Sequence, residues 1–298
     1  MEIRVLHYFL TIAREENISR AAEVLHITQP TLSRQIAQLE ESLGVTLFYR
    51  GARKITLTEE GMLLRRRAEE ILSLVEKTEE ELRTQDDLID GRIVIGSGEL
   101  AAMQLLPDII RTFHANYPRV QFDLLTANAD VIKDQIEKGL ADIGVLLEPI
   151  DVTKFDFIRL PTPERWVVLM RPDDPLAEKA AISPEDLAGR SVIMPRRPNL
   201  QSELKNWFGE AFDAVRVDFT SNLSTNGAIM VQAGLGYSLV IEGSVPLWDT
   251  ERIIHRPLSP SLTASSVIAW KKEQPLNLAT SKFIEQLLCF LSRERHEI

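Results

Sequence analysis

Apolar residues near the start of the chain recur at the spacing of one helix face. They lie at i, i+3, i+4 and i+7 and are Leu6, Phe9, Leu10 and Ala13. A second helix is expected behind Ser19 as its N-cap, and a third between Thr28, a capping residue, and Gly44, a helix terminator. Two short strands are expected within 47–57. Residues 1–58 are therefore predicted to form one domain of three short helices followed by a hairpin.

A long, highly charged helix is predicted from Thr58, its N-cap, to about Leu88. Its apolar positions alternate four and three residues apart, as at the a and d positions of about three heptads. They are Leu64, Ala68, Ile71, Val75, Thr78 and Leu82. The helix could pack on the core of its own domain or pair with a second copy. Its charged flanks favour pairing, so residues 59–90 are assigned to a linker and dimerisation helix.

Short β-branched runs alternate with helical patterns through the rest of the chain, 91–298. Such alternation predicts largely parallel sheets with helices on their faces. A second set of strands and helices begins near Arg165, and the last strand and helix are expected to return to the first set. We therefore predict two α/β lobes. Lobe I comprises 91–161 and 269–298, and lobe II comprises 162–268.

Composition indicates a globular protein of two or three domains. The chain has 298 residues, of which 44% are hydrophobic and 26% charged. Its one cysteine, Cys289, excludes an internal disulfide framework and multi-cysteine zinc sites, and its apolar neighbours predict a buried thiol. The sequence contains no signal-like segment and no apolar run of the roughly 18 residues that a membrane helix needs. A cytoplasmic protein without a membrane partner is expected.

The distribution of charge qualifies the net charge of −10, which alone argues against a nucleic-acid partner. Residues 28–58 hold four cations against two anions, which gives a local charge of +2. The cations are Arg34, Arg50, Arg53 and Lys54, and three of them lie at the tip of the predicted hairpin. A basic hairpin tip suits contact with a phosphate backbone.

The third predicted helix has a small, polar face opposite its apolar one. Pro30, Ser33, Arg34 and Ala37 share that face, while Leu32, Ile36, Leu39 and Leu43 are expected to be buried. Such a face can enter the major groove, which is about 12 Å wide, and Arg34 could bond a guanine or a phosphate. An ordinary solvated helix face explains the same residues, and from this helix alone the two interpretations stay open.

The stretch Phe9–Gly61 contains SRAAEVLHITQPTLSRQIAQLEESLGVTLFYRGARKITLTEEG and resembles the winged helix-turn-helix of LysR-type transcriptional regulators almost position for position. A looser resemblance extends over 183–189 and 231–238. The resemblance to this family implies a double-stranded DNA partner and an effector domain of the two-lobed periplasmic-binding-protein type. It also implies a homodimer or homotetramer formed through the linker helix and the effector domain. The candidate DNA-binding residues are Ser19, Thr28, Gln29, Pro30, Thr31, Ser33, Arg34, Arg50, Arg53 and Lys54.

A ligand cleft is expected beyond the carboxyl ends of the strands of the two lobes. The candidate effector-binding residues there are Ser97, Gly98, Glu99, Leu100, Thr126, Asn128, Arg196, Arg197, Asn222, Ser224 and Glu242. Hydroxyl groups, helix N-termini and the two arginines favour a small polar or carboxylate metabolite. Glu99 argues the other way, because a carboxylate at the cleft repels an anion or recruits an amine.

Other function classes receive little support from the sequence. Residues 96–101 fit the dinucleotide pattern G-x-G-x-x-G/A, but Asp123, the candidate ribose ligand, lies inside a strand and not at its end. The five histidines form no pair at metal-ligand spacing, and no hydrolase motif occurs. No catalytic residue, metal or cofactor is expected. The alternative is a cytoplasmic α/β enzyme or solute-binding module with an incidental helical N-terminus.

Overall fold

The computed structural model describes residues 1–51, 54–83, 89–247, 249, 251–273 and 276–294. The chain forms two compact units, Met1–Gln85 and Asp86–Ile298. Over the described ranges, no helix has the length and apolar character needed to cross a bilayer.

The first unit contains the predicted three helices and hairpin, followed by a long helix. Its elements are α1 (Ile3–Glu15), α2 (Ile18–Val24), α3 (Gln29–Leu43), β1 (Phe48–Arg50), β2 (Ile55–Leu57) and α4 (Glu59–Arg83). Strands β1 and β2 are antiparallel. Phe9 of α1 and Leu32 and Ile36 of α3 are almost fully buried in one core, so the apolar periodicity of the sequence identified the inward faces.

Polar side chains determine where α3 and α4 begin. The Thr28 hydroxyl accepts a hydrogen bond from the backbone N–H of Thr31, and α3 ends at Gly44 in the left-handed conformation, with φ of 68°. The buried Thr58 hydroxyl accepts from the N–H of Gly61 at 2.9 Å and donates to the carbonyl of Thr46 at 2.7 Å. Both predicted caps and the predicted terminator are confirmed.

Two local predictions in this unit are wrong. The N-cap of α2 is Asn17, whose side chain accepts from the N–H of Arg20, and Ser19 lies exposed inside the helix. The helix therefore starts two residues earlier than predicted. Leu43 is 42% exposed, because α3 ends at that residue and its last turn extends past the core.

The N-terminal half of α4 belongs to the core of the first unit. Ala68 and Leu72 are buried there, and Leu64 and Ile71 pack against the same cluster. The interpretation that this helix packs on its own domain is thus correct for these turns. Farther along, Thr78 is exposed, while the side chain of Leu82 lies outside the described part of the chain.

The second unit contains two five-stranded arrangements of the same type. In lobe I the strand order is β4 (Val120–Thr126), β3 (Gly91–Ser97), β5 (Ile143–Leu147), β13 (Ser266–Lys271) and β6 (Phe155–Arg159). In lobe II it is β9 (Arg216–Ser221), β8 (Ser191–Pro195), β10 (Tyr237–Ile241), β7 (Glu164–Met170) and β11 (Ile254–Pro257), and β12 (Thr263–Ala264) also pairs with β7. The first three strands of each order are parallel, and the fourth is antiparallel to its neighbours.

Helices cover these sheets and complete the lobes. They are α5 (Leu106–Asn116), α6 (Ala129–Glu137) and α9 (Leu278–Glu294) in lobe I, and α7 (Pro198–Phe208) and α8 (Ser224–Gln232) in lobe II. The last strand and helix return to lobe I as predicted, but the predicted boundary at residue 269 falls inside β13, which starts at Ser266. The sequence analysis did not predict strand β6. Cys289 is exposed, so the prediction of a buried thiol is wrong: it lies on the outer side of α9, whose inner side carries Phe283 and Leu287.

Candidate functional site

The polar face of α3 projects from the first unit. Thr28, Gln29, Pro30, Thr31 and Arg34 are exposed and Ser33 is half-buried, whereas Leu32, Ile36 and Leu39 on the opposite face are buried. The candidate residues of this helix therefore lie outside the core of their own unit.

Local hydrogen bonds order the first turn of this face. The Gln29 amide nitrogen donates to the Ser33 hydroxyl at 2.8 Å, and the hydroxyl oxygens of Thr28 and Thr31 lie 2.8 Å apart. The side chain of Arg34 makes no hydrogen bond or ion pair with any described residue. Its guanidinium is thus available to an external acceptor, while the shorter side chains around it are held in place.

The hairpin places one basic residue beside an acidic one. Lys54 pairs with Glu16 at 2.7 Å, and both side chains are about half exposed. The backbone N–H of Ile55 donates to the carbonyl of Glu16 at 2.9 Å, which attaches the hairpin to the end of α1. The sequence did not predict that Glu16 would contact the hairpin. Arg50 lies in β1, and the Arg50 side chain and all of Arg53 lie outside what the structure describes.

A cleft that is open to solvent lies between the two lobes of the second unit, and the space within it, solvent included, is about 660 Å³. Seven of the eleven candidate effector residues line it: Gly98, Glu99, Leu100, Asn128, Arg197, Asn222 and Ser224. They come from the loops that follow the strands of both lobes, as predicted for this type of fold. The placement of the cleft by topology was therefore sound, although its chemistry differs from the expectation.

The other four candidates do not line the cleft. Ser97 is buried and donates to the carbonyl of Gly98 at 2.9 Å. Thr126 and Arg196 are exposed outside the lining. Glu242 lies 4.0 Å from Arg165 and 3.7 Å from His255. The sequence prediction counted every polar residue near a strand end as a ligand-binding candidate. It could not tell which of these side chains line the cleft.

Most of the cleft wall is apolar and was missed. It includes Val145, Leu147, Trp166, Met194, Leu200, Leu223, Leu239 and Ile241. In the sequence these residues belong to β-branched and apolar runs that equally indicate a core. Trp166 is 2% exposed, and its indole N–H has no hydrogen-bond partner in the described chain.

Arg197 joins the two lobes. It is 6% exposed, and each of its three guanidinium nitrogens donates to lobe I: to the carboxylate of Asp130 at 3.2 Å and to the carbonyls of Leu147 at 3.1 Å and Pro149 at 2.9 Å. Each nitrogen therefore already has an acceptor in lobe I, and three of the five guanidinium N–H groups are used. This arginine holds the lobes together, and the prediction that it offers its charge to a ligand is not supported by its contacts.

Two carboxylates bind helix N-termini of the opposite lobe. Glu99 of lobe I accepts hydrogen bonds from the N–H and hydroxyl of Ser224 and from the hydroxyl of Thr225, at the start of α8. Glu164 of lobe II accepts from the N–H groups of Ala101 at 2.9 Å and Ala102 at 3.0 Å. Burial raises the pKa of the Glu164 carboxyl, and the two backbone N–H groups oppose that rise.

The dinucleotide pattern at residues 96–101 has no free phosphate site. The N–H groups of Ala101 and Ala102, which start the short 3-10 helix Ala101–Leu105, are occupied by Glu164. Asp123 lies within β4, half exposed and 4.0 Å from Arg92. No cluster of three potential metal-ligating side chains occurs in the ranges that the structure describes.

Comparison with known proteins agrees with this geometry. Residues 3–62 match the family model "Bacterial regulatory helix-turn-helix protein, lysR family", and residues 86–291 match "LysR substrate binding domain". The chain is 31% identical to the uncharacterized HTH-type transcriptional regulator YybE of Bacillus subtilis, covering 98% of this chain and 100% of that protein. It is 30% identical to the Hca operon transcriptional activator HcaR of Escherichia coli, covering 91% and 92%.

Solved structures show the same fold. CbnR, a LysR family transcriptional regulator, superposes with a TM-score of 0.76 at 21% identity, covering 98% of this chain and 99% of that one. CbnR in complex with its target DNA gives a TM-score of 0.75 at 23% identity, with the same coverage. Two family models that together span most of the chain, and a full-length relative above 30% identity, place this protein in the LysR family of transcriptional regulators.

Proposed function

We propose that the exposed face of α3 binds base edges of operator DNA, and that a small molecule in the interlobe cleft controls this binding. Family membership makes the chain a transcriptional regulator with an effector domain, and the alternative of an α/β enzyme is wrong. The observation behind the DNA proposal is the projecting strip Gln29–Arg34, whose arginine has no partner among the described residues. As a regulator of chromosomal genes, the protein would act in the cytoplasm.

The chemistry of the strip suits the major groove. Side chains near the N-terminus of a recognition helix usually meet the bases, and helix N–H groups there can hold a phosphate. Arg34 can donate two parallel hydrogen bonds to a guanine. Arg50, Arg53 and Lys54 of the hairpin would contact the backbone and add affinity without sequence preference.

DNA binding by two variants separates these roles. Fluorescence anisotropy would compare an operator duplex, taken from the gene's own promoter region, with a scrambled duplex at several salt concentrations. Arg34→Ala should weaken operator binding by about 1–3 kcal/mol and scrambled binding much less. Lys54→Ala should weaken both duplexes equally and reduce the salt dependence.

Arg111→Ala is the matched control, since Arg111 is a cation 77% exposed in the second unit. It should leave both affinities unchanged. Equal losses on the two duplexes for Arg34→Ala would remove its base-contacting role. A wild-type protein that binds neither duplex would refute the DNA proposal.

Self-association is proposed through α4. Met62, Leu63 and Leu74 are exposed apolar residues of this helix, and Ile3, the first residue of α1 in the same unit, is also exposed. A helix that exposes large apolar side chains gains stability by burying them against a second copy. Leu63→Lys should shift the sedimentation of the purified protein toward a smaller species, and unchanged sedimentation would argue against this surface.

The effector would act by population shift. A ligand that binds one arrangement of the two lobes more tightly than others favours that arrangement, and the oligomer would transmit it to the DNA-binding units. Asn222→Trp tests whether the cleft is the effector site, because Asn222 is exposed in the cleft wall. A large ring at this position should obstruct the cleft and weaken effector binding. Asn226→Trp is the control, since Asn226 is exposed on α8 outside the lining.

A further inference from the structure

The cleft offers no free positive charge to an acidic ligand within the described chain. Arg197 is the one described cation in its lining, and all three of its guanidinium nitrogens donate to acceptors of lobe I. Arg196, its neighbour, is exposed and does not line the cleft. A carboxylate ligand would therefore have to share the one described lining cation, whose charge is already paired with Asp130.

The N-terminus of α8 is one place where the cleft could hold an anion, and Glu99 already occupies it. Both carboxylate oxygens of Glu99 are engaged there: one accepts from the N–H of Ser224 at 2.7 Å and from the Ser224 hydroxyl, and the other accepts from the Thr225 hydroxyl. The positive end of the helix dipole favours a negative charge at this point. Glu99 thus has the contacts that a ligand carboxylate would otherwise make.

A competing carboxylate meets two obstacles. It must either displace Glu99, whose charge would then lose its donors, or bind beside that charge in a cleft whose wall is mostly apolar. Like charges at close range disfavour binding strongly where solvent screening is reduced. An uncharged molecule of the same shape meets neither obstacle.

The rest of the cleft matches an uncharged ligand. Its wall is mostly aliphatic, and such surfaces gain from burying apolar ligand area. Trp166 contributes an almost fully buried indole ring to this wall, which is a further apolar surface for a ligand. The amide of Asn222, exposed in the lining, is a neutral polar group.

Resting on the proposed effector function, we propose that the cleft selects an uncharged, mainly apolar small molecule and that Glu99 is the residue that excludes carboxylates. The side chain serves two purposes at once: it links lobe I to lobe II, and it blocks the anion position. The carboxylate metabolite suggested by the sequence is therefore replaced by a neutral ligand class.

Ligand-observed NMR on the full-length protein tests this with three probes of equal size: benzamide, benzoate and benzylamine. Wild type should bind benzamide at least about tenfold more tightly than benzoate. Glu99→Ala should gain benzoate binding, because the N–H and hydroxyls at the start of α8 become available. Glu242→Ala, which removes a carboxylate outside the cleft lining, should keep the wild-type preference.

Several results would overturn the assignment. Benzoate binding to wild type as tightly as benzamide, or no gain of benzoate by Glu99→Ala, removes the excluding role of Glu99. Tightest binding of benzylamine replaces the neutral class with a cationic one. No binding of any probe to either protein also rejects it. Glu99→Gln, which preserves the side-chain length, serves if Glu99→Ala fails to fold; it should also gain benzoate binding, because it removes the negative charge even though its amide oxygen can still accept from the start of α8.

The Asn222→Trp variant distinguishes failure of this inference from failure of the effector site itself. If it abolishes probe binding while the charge preference is absent, the cleft remains the effector site and only the role of Glu99 is withdrawn. If all probes bind this variant as they bind wild type, the cleft assignment fails.

Discussion

Replacing Arg197 with methionine removes every hydrogen bond of its guanidinium while keeping much of the apolar volume. The bonds to the carbonyls of Leu147 and Pro149 are the larger loss, because a hydrogen bond from a charged donor contributes about 1.5–3 kcal/mol and both acceptors would lose their partner. The ion pair adds little, since Asp130 is 58% exposed and water can replace its partner. We expect Arg197→Met to lower the free energy of unfolding of the second unit by about 3–5 kcal/mol.

Urea unfolding followed by tryptophan fluorescence measures this loss. All four tryptophans lie in the second unit, so the signal reports that unit. Arg196→Met is the matched control: it removes the same charge one residue away, from an exposed side chain that makes no hydrogen bond with a described residue. We expect it to change the free energy of unfolding by less than about 0.5 kcal/mol.

The two substitutions must differ if the reasoning is right. Equal free energies of unfolding for Arg197→Met and Arg196→Met would show that the interlobe bonds contribute no net stability. Arg197→Lys offers a second check, because lysine keeps the charge but has one nitrogen in place of three. Recovery of the full wild-type stability by lysine would likewise contradict the hydrogen-bond account.

Three further predictions concern local features. Asn17→Ala should destabilise the first unit by about 1 kcal/mol in urea unfolding followed by circular dichroism, whereas Ser19→Ala should be nearly neutral, and the reverse order would contradict the assigned cap. Gly243→Ala should cost about 2 kcal/mol or more by tryptophan fluorescence, because its Cβ would lie 1.9 Å from a backbone nitrogen of lobe I, while Gly98→Ala, with no neighbour closer than 3.6 Å, should cost little. Burial and the carboxylate of Asp174, which accepts from the phenol, raise the pKa of Tyr237 to about 12 from 10.0. The neutral phenol therefore contributes its full stabilisation below pH 10, and this contribution declines as the pH rises toward 12. The urea midpoint of wild type should fall over this range, and that of Tyr237→Phe should not show this decline.

The helices of the first unit could be predicted because burial imposes a period on the sequence. One face of α3 must be apolar to pack, so Leu32 and Ile36 identify the opposite, projecting face without further information. The start of α2 was harder to predict, because Asn17 and Ser19 are both capping residue types two positions apart. Only the extended backbone at Asn17, with φ of −150° and ψ of 123°, makes it the cap.

The position of the cleft could be predicted from the topology, but its mostly apolar lining could not. Apolar strand residues that line a cleft have the same sequence pattern as residues in a core, so Leu147 and Trp166 carried no signal. Arg196 and Arg197 are adjacent and chemically identical, and only the path of the chain into α7 turns one of them inward. The contact of Glu99 with Ser224 joins residues 125 positions apart, and no local pattern encodes such a pair.

Thr58 gives the first unit little internal freedom. One hydroxyl bonds both the first turn of α4 and the carbonyl of Thr46, in the segment that joins α3 to the hairpin. A rotation of the first turn of α4 should therefore be passed to the segment at Thr46, which continues from α3. The spacing between operator half-sites that the protein tolerates would then depend on the stiffness of a single helix, and a glycine introduced into the exposed turns of α4 should broaden it.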